Sequence, residues 1–199
     1  MFALSLRVGL FGLVLGLVAA GGAAAEDKKV ELNVGDKAPA FEARTDADTT
    51  WESAGRVGKK WVVVYFYPGD FTPGCTAQAN IYRDAMNKLT DLGVEVVGVS
   101  GDSVKTHELF KKAQKLNFTL LADEEGLLAK KFGVPFGPGA TVKAKAADGN
   151  PLEFRRAGTA ARWTFVIGRD GTVGYKNTKV APADDAKKVT EFITKADQK

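Results

Sequence analysis

Of the two side chains that most often build metal centres and disulfides, this sequence of 199 residues holds one copy each: one cysteine and one histidine. A single cysteine excludes an intrachain disulfide, and one histidine beside it excludes a His/Cys zinc cluster. A surplus of one charge sign is missing too. The formal charge is +4, and Lys and Arg mix with Asp and Glu through most of the chain. There is no basic stripe of the kind that tracks nucleic acid. Internal repeats and low-complexity domains are absent. A hydrophobic content of 45% suits one compact domain with a sizeable core.

Long apolar runs are scarce, with one exception near the N-terminus. A positive charge at Arg7 is followed by G-L-F-G-L-V-L-G-L-V-A-A and then G-G-A-A-A. The run is short and Gly-rich for a membrane-spanning helix. Ala23 and Ala25 are spaced as an export peptidase needs, with Glu26 next. The layout predicts a secretory signal over residues 1–25 and a domain over 26–199, exported to the periplasm or the outside and touching a membrane only during export. A retained anchor is the alternative. No cysteine follows the run, so lipid attachment there is excluded.

Beyond a polar lead-in, residues 41–53 read as a short hairpin or edge strands. Trp61 to Tyr67 (W-V-V-V-Y-F-Y) does not alternate, which predicts a central strand buried on both faces. Residues 73–91 fit a helix with Ala77, Ile81, Ala85 and Leu89 on one stripe, and 93–100 fit a strand. Strand, helix, strand implies a parallel crossover. Helices are predicted over 103–116, 124–132 and 182–196, with Ala186, Val189, Phe192 and Ile193 of the last turned inward. Strands are predicted over 118–122, 163–167 and 172–175, the last two joined by R-D-G. Residues 133–161 read as loops with one possible hairpin. The order predicts an α/β domain, a mixed central sheet with helices on both faces.

The lone Cys75 stands in P-G-D-F-T-P-G-C-T. Thr72 is a good helix N-cap residue and Pro73 suits the first helical position. Cys75 then falls in the first helical turn, where free N–H groups and the helix dipole favour an anion, here the thiolate. The end of a central strand is also where open α/β sheets place ligands. Gly74 permits close approach to the backbone, and Pro68 adds a rigid apolar wall without an N–H. From position alone, a cysteine that merely packs is the alternative.

Pro68-x-x-x-Thr72-x-x-Cys75 resembles the active-site motif of the peroxiredoxins. The fuller F-Y-P-G-D-F-T-P-G-C-T-A-Q-A, followed by Tyr82-Arg83-Asp84, is similar to the peroxiredoxin Q group, also called bacterioferritin comigratory proteins. The likeness continues through G-V-E-V-V-G-V-S-G-D-S, F-T-L-L-A-D-E-E-G, K-K-F-G-V-P and R-W-T-F-V-I-G-R-D-G, and so runs over residues 33–197 apart from 136–160.

The resemblance implies a thioredoxin-like fold and thiol-dependent reduction of hydroperoxides, with no metal and no organic cofactor. It makes Cys75 the peroxidatic nucleophile, and Thr72 a hydrogen-bond partner of the peroxide and of Cys75. It makes Arg162 the distant arginine that holds the thiolate. Gln78, one turn past Cys75, can orient that arginine. Where relatives carry a resolving cysteine five residues on, this chain has Asn80. A one-cysteine enzyme recycled by an outside thiol follows, with an exported thioredoxin-like protein as the expected donor. A disulfide reductase would need C-x-x-C, and copper delivery would need paired cysteines with a histidine, so both fail. A non-catalytic redox sensor or thiol-linked binding module remains the alternative. Arg155 and Arg156 are rivals for the role of Arg162, Trp163 either narrows the pocket or packs, and Arg83–Asp84 reads as a solvated pair or as part of the site. His107 reads as a surface residue without an acid/base partner.

Overall fold

The structure, a computed structural model, describes Met1 and residues 30–198. The signal expected over 1–25 lies, Met1 apart, outside the described residues. A seven-stranded sheet runs in the order β2-β1-β5-β4-β3-β8-β9. Its strands are β1 (Glu42–Thr45), β2 (Thr50–Glu52), β3 (Trp61–Phe66), β4 (Val94–Ser100), β5 (Thr119–Ala122), β8 (Trp163–Ile167) and β9 (Val173–Asn177). The two remaining strands, β6 (Phe136–Lys145) and β7 (Pro151–Ala160), form a separate antiparallel hairpin.

Strands β3, β4 and β5 are mutually parallel, joined by α1 (Pro73–Asp91) and α2 (Val104–Gln114). Because both crossovers step the same way along the sheet with one hand, α1 and α2 lie on one face. Helix α4 (Asp185–Ala196) joins them there, and α3 (Leu127–Phe132) covers the other face. β8 pairs antiparallel with β3, and β1 antiparallel with β5, so the sheet is mixed as expected.

Alternation along β3 divides the core. Val62, Val64 and Phe66 pack with Phe132, Phe165 and Leu121 on the α3 side. Val63, Tyr65 and Tyr67 pack with Tyr82, Leu89, Phe110 and Val189 on the other side. Every one of these side chains, from β3 and from Tyr67 just beyond it, is at most 1% exposed, which is why the run is apolar without a period of two.

Some elements differ from expectation. In α1 the inward residues are Cys75, Gln78, Ala79, Tyr82 and Leu89, whereas Ala77 is exposed. The stripe is therefore turned from the all-apolar one, and it carries two polar side chains into the core. Helices α3 and α4 start three residues later than expected, after turns. The 133–161 stretch is mostly the long hairpin.

Candidate active site

The chain leaves β3 through Tyr67-Pro68-Gly69-Asp70-Phe71-Thr72 and enters α1 at Pro73, which needs no N–H there. Thr72 occupies the N-cap position with extended backbone, but its side chain caps nothing. Its hydroxyl donates instead to the Gly69 carbonyl at 3.0 Å, closing the tight loop on itself. The direct bond from Thr72 to Cys75 implied by the resemblance is thus replaced by one to Gly69. Two lone pairs of the Thr72 oxygen stay available as acceptors. Pro68 is half-buried at the head of the same loop.

Cys75 lies in the first turn of α1 and is 1% exposed. Arg162, the residue before β8, brings Nη2 to 3.2 Å from the Cys75 Sγ. Its Nη1 donates to Oε1 of Gln78. The thiol therefore has a fixed positive charge on one side and the N-terminus of a 19-residue helix on the other. A side chain at Gly74 would meet Arg162 Nη2 at 3.5 Å and Pro182 Cγ at 3.8 Å, so glycine lets the guanidinium and the loop before α4 close in on the turn.

Cys75, Gln78 and Arg162 are thus brought together. The rival arginines are elsewhere. Arg155 is exposed, and Arg156 is buried against Asp102, with Nε 2.9 Å from Oδ1 and Nη2 2.7 Å from the Asp70 carbonyl. Trp163 lies on the α3 side of the sheet, near Phe165 and beneath Lys176, and so packs on the face away from Cys75. Arg83 pairs with the exposed Asp84 at 2.8 Å and also reaches Asn80 and the Gln114 carbonyl.

Two residues escape or contradict the sequence reading. His107 is fully buried, not at the surface: Nδ1 is 2.7 Å from Asp70 Oδ2 and Nε2 3.2 Å from the Leu121 carbonyl. Burial alone would push the imidazole down, but the charge and hydrogen bond of Asp70, with Asp102 and Leu121, raise it above the ordinary histidine value. Asp70 also accepts from the Tyr67 hydroxyl at 2.7 Å, and its N–H donates to Asp102 at 2.8 Å. The loop carrying Thr72 is therefore pinned from beneath by a polar cluster.

Asp185, the first residue of α4, was overlooked. Its Oδ2 accepts from Gln78 Nε2 at 2.8 Å, the Tyr82 hydroxyl at 2.9 Å and Thr164 Oγ1 at 2.8 Å. Burial raises its carboxyl above the usual range, opposed by the Thr164, Tyr82 and Gln78 donors and the Arg162 charge. Burial and Asp185 together hold the Tyr82 phenol in its neutral, donating form. The signal was available: Asp185 shares a stripe with Val189 and Ile193, as Gln78 and Tyr82 share one with Cys75.

A thiol held between an arginine and a helix N-terminus, at the end of a parallel strand, defines a thioredoxin-like thiol protein. Residues 34–176 match the AhpC/TSA family, and the chain belongs to that family. Among curated proteins it is 44% identical to the putative peroxiredoxin bcp of Coxiella burnetii, over 76% of this chain and 91% of that one. It is 39% identical to the chloroplastic peroxiredoxin Q of Oryza sativa subsp. japonica over 73% of this chain. That alignment spans 58% of the rice protein, so the chain covers little more than half the length of such plant relatives. Among solved structures it resembles the bacterioferritin comigratory protein of Xanthomonas campestris, described with alkyl peroxide reduction activity, at TM-score 0.64 and 26% identity. That match covers 78% of this chain and 91% of that one. The resemblance to the peroxiredoxin Q group and the thioredoxin-like α/β fold are both borne out.

Proposed function

We propose that this chain is a thiol peroxidase that reduces hydrogen peroxide and organic hydroperoxides at Cys75. The contact of Arg162 with the Cys75 sulfur at 3.2 Å carries the reading. The thiolate attacks the distal peroxide oxygen, the O–O bond breaks, and an alkoxide or hydroxide leaves and takes a proton. Cys75 is oxidised to a sulfenic acid, and the peroxide is reduced to an alcohol or water. Arg162 and the N–H groups of Gly74 and Cys75 face the charge that develops on the oxygens. Thr72, its proton committed to Gly69, accepts the peroxide O–H. Pro68 walls the approach, and Gln78 holds Arg162.

Two molecules of an outside thiol then return Cys75 to its starting state. The first condenses with the sulfenic acid and releases water, and the second displaces Cys75 and leaves as the disulfide. With a leader over 1–25, the reductant is an exported thioredoxin-like protein of the periplasm or exterior. The test is peroxide consumption in the presence of a thiol donor. Cys75→Ser should abolish it, and full turnover by that variant would refute the reading. A single oxidation without turnover would favour a redox sensor instead. Mass spectrometry of the exported chain should find Glu26 first, whereas an intact Met1 end in the membrane fraction would mean a retained anchor.

A further inference from the structure

Three hydrogen bonds behind the thiol lies a carboxylate that the chemistry above does not use. Asp185 is 1% exposed, and it is the only charged residue among the inward positions of α4. Three donors from two other elements converge on its Oδ2: Gln78 and Tyr82 of α1, and Thr164 of β8. Its Oδ1 is buried without a hydrogen-bond partner. An ionised or half-satisfied group is expensive to keep in a core unless something depends on it.

Gln78 is what depends on it. A glutamine amide has an accepting end and a donating end, and either can point either way unless its neighbours decide. Here both neighbours decide. Arg162 can only donate, so it requires the Gln78 oxygen. The Asp185 oxygen already takes two hydroxyl protons and requires the Gln78 nitrogen, 2.8 Å away. The guanidinium is planar, so once Nη1 is fixed on Gln78 its Nη2 is aimed, and that nitrogen is the one 3.2 Å from Cys75 Sγ. The bonds form one directed chain from Asp185 through Gln78 and Arg162 to Cys75.

We propose that Asp185 is a positioning residue for Cys75, fixing the Gln78 amide so that Arg162 is held on the sulfur. The proposal rests on Cys75 being the reacting thiol, and it assigns a role to a residue outside the motif. An acceptor on the Gln78 nitrogen also polarises the amide and makes the Gln78 oxygen a stronger acceptor for Arg162.

The alternative is that Asp185 only ties α4 to α1 and β8. A double-mutant cycle separates the two. The readouts are the alkylation rate of Cys75 at neutral pH and peroxide turnover, in wild type, D185N, R162A and the double variant. Asparagine keeps the volume but offers an N–H₂, so Gln78 is free to flip. D185N should slow both reactions by roughly five- to tenfold, the worth of one directed hydrogen bond. In the R162A background it should change neither. Wild-type rates in D185N, or equal slowing in both backgrounds, would overturn the proposal. If D185N does not fold, Gln78→Met decides, because it cuts the chain while leaving Tyr82 and Thr164 on Asp185. A wild-type alkylation rate in that variant also overturns the proposal. Peroxide turnover by Cys75→Ser would sink the peroxidase reading alone, and the alkylation cycle would still decide on Asp185.

Discussion

Arg162 meets Cys75 with one nitrogen and Gln78 with the other, so removing it takes away a fixed charge and two directed donors at once. Arg162→Ala should slow Cys75 alkylation at neutral pH and lower peroxide reduction by about a hundredfold, the scale of one lost donor to a developing oxyanion. Arg162→Lys should rescue little, since an ammonium cannot serve two partners in a plane. Full activity in Arg162→Ala would mean that another group activates the thiol. His107 gives a prediction of a different kind. Both of its ring nitrogens face acceptors, Asp70 and the Leu121 carbonyl, which suits the doubly protonated ring and agrees with its raised value. A folded value above the unfolded one stabilises the protein fully below the ordinary histidine range, and that stability is lost as pH rises through the folded value. The stability gap between wild type and His107→Gln should therefore be larger at about pH 5.5 than at about pH 9. An equal gap at both, read by denaturant unfolding, would mean a neutral ring throughout. Residues of the motif were legible because local rules place them: a proline at the first helical position, a cysteine in the first turn, a glutamine one turn on. His107 was not, because its partner Asp70 lies 37 residues away and reaches it only once β3, β4 and α2 have packed.

The hairpin β6–β7 is the element that sequence patterning resolved least. Its strands carry Gly137, Pro138, Gly139 and Gly158, which blur a period-two pattern, and only the A-D-G-N turn marked it. Its docking is long-range. Ala157 N–H donates to the Gly101 carbonyl at 3.1 Å, and a side chain on Gly101 would lie 2.2 Å from the Gly158 carbonyl oxygen. Arg156 reaches further, to Asp102 and to the Asp70 carbonyl. A side chain on Gly69 would sit 1.9 Å from the Arg156 Nε, so the guanidinium lies flat on the loop that carries Thr72. Phe71, at φ +60°, is pressed between Phe110 and Phe154 from α2 and the hairpin. The hairpin thus clamps the active-site loop from outside while the His107–Asp70 pair pins it from beneath. Arg156→Ala leaves Asp102 buried without its cation and should cost about 3–5 kcal/mol. Exposed Arg155→Ala should stay within about 0.5 kcal/mol. Chemical denaturation of the two variants checks this, and equal stabilities would mean that the hairpin does not depend on the Arg156 pair.

For the whole molecule the governing fact is one thiol in 199 residues, itself 1% exposed. A peroxide is a small molecule, whereas the thiol of a protein donor comes with a whole protein surface that cannot enter a buried site. On the proposed cycle, reduction of the sulfenic acid therefore requires the start of α1 to open. Asn80, where the resemblance puts a resolving cysteine, donates toward Gln114 of α2 rather than lying along the Cys75 side of the helix. Five residues of helix span about 7.5 Å along the axis, beyond the separation of roughly 7 Å that a disulfide tolerates. One equivalent of peroxide, added without other thiols, should leave one sulfenic acid per chain, trapped by a specific reagent. A disulfide-linked pair of chains as the sole product would instead make a second copy the resolving partner. Asn80→Cys then measures the opening. In that variant an internal disulfide should form under peroxide, and its rate should follow the hydrogen exchange of the amides in residues 75–80, since both need the same turn to unwind. A disulfide that forms fast while those amides stay protected would show that the turn need not open. No disulfide at all would show a first turn too rigid to bring residue 80 to Cys75, and the one-cysteine cycle would then need another route to the buried sulfur.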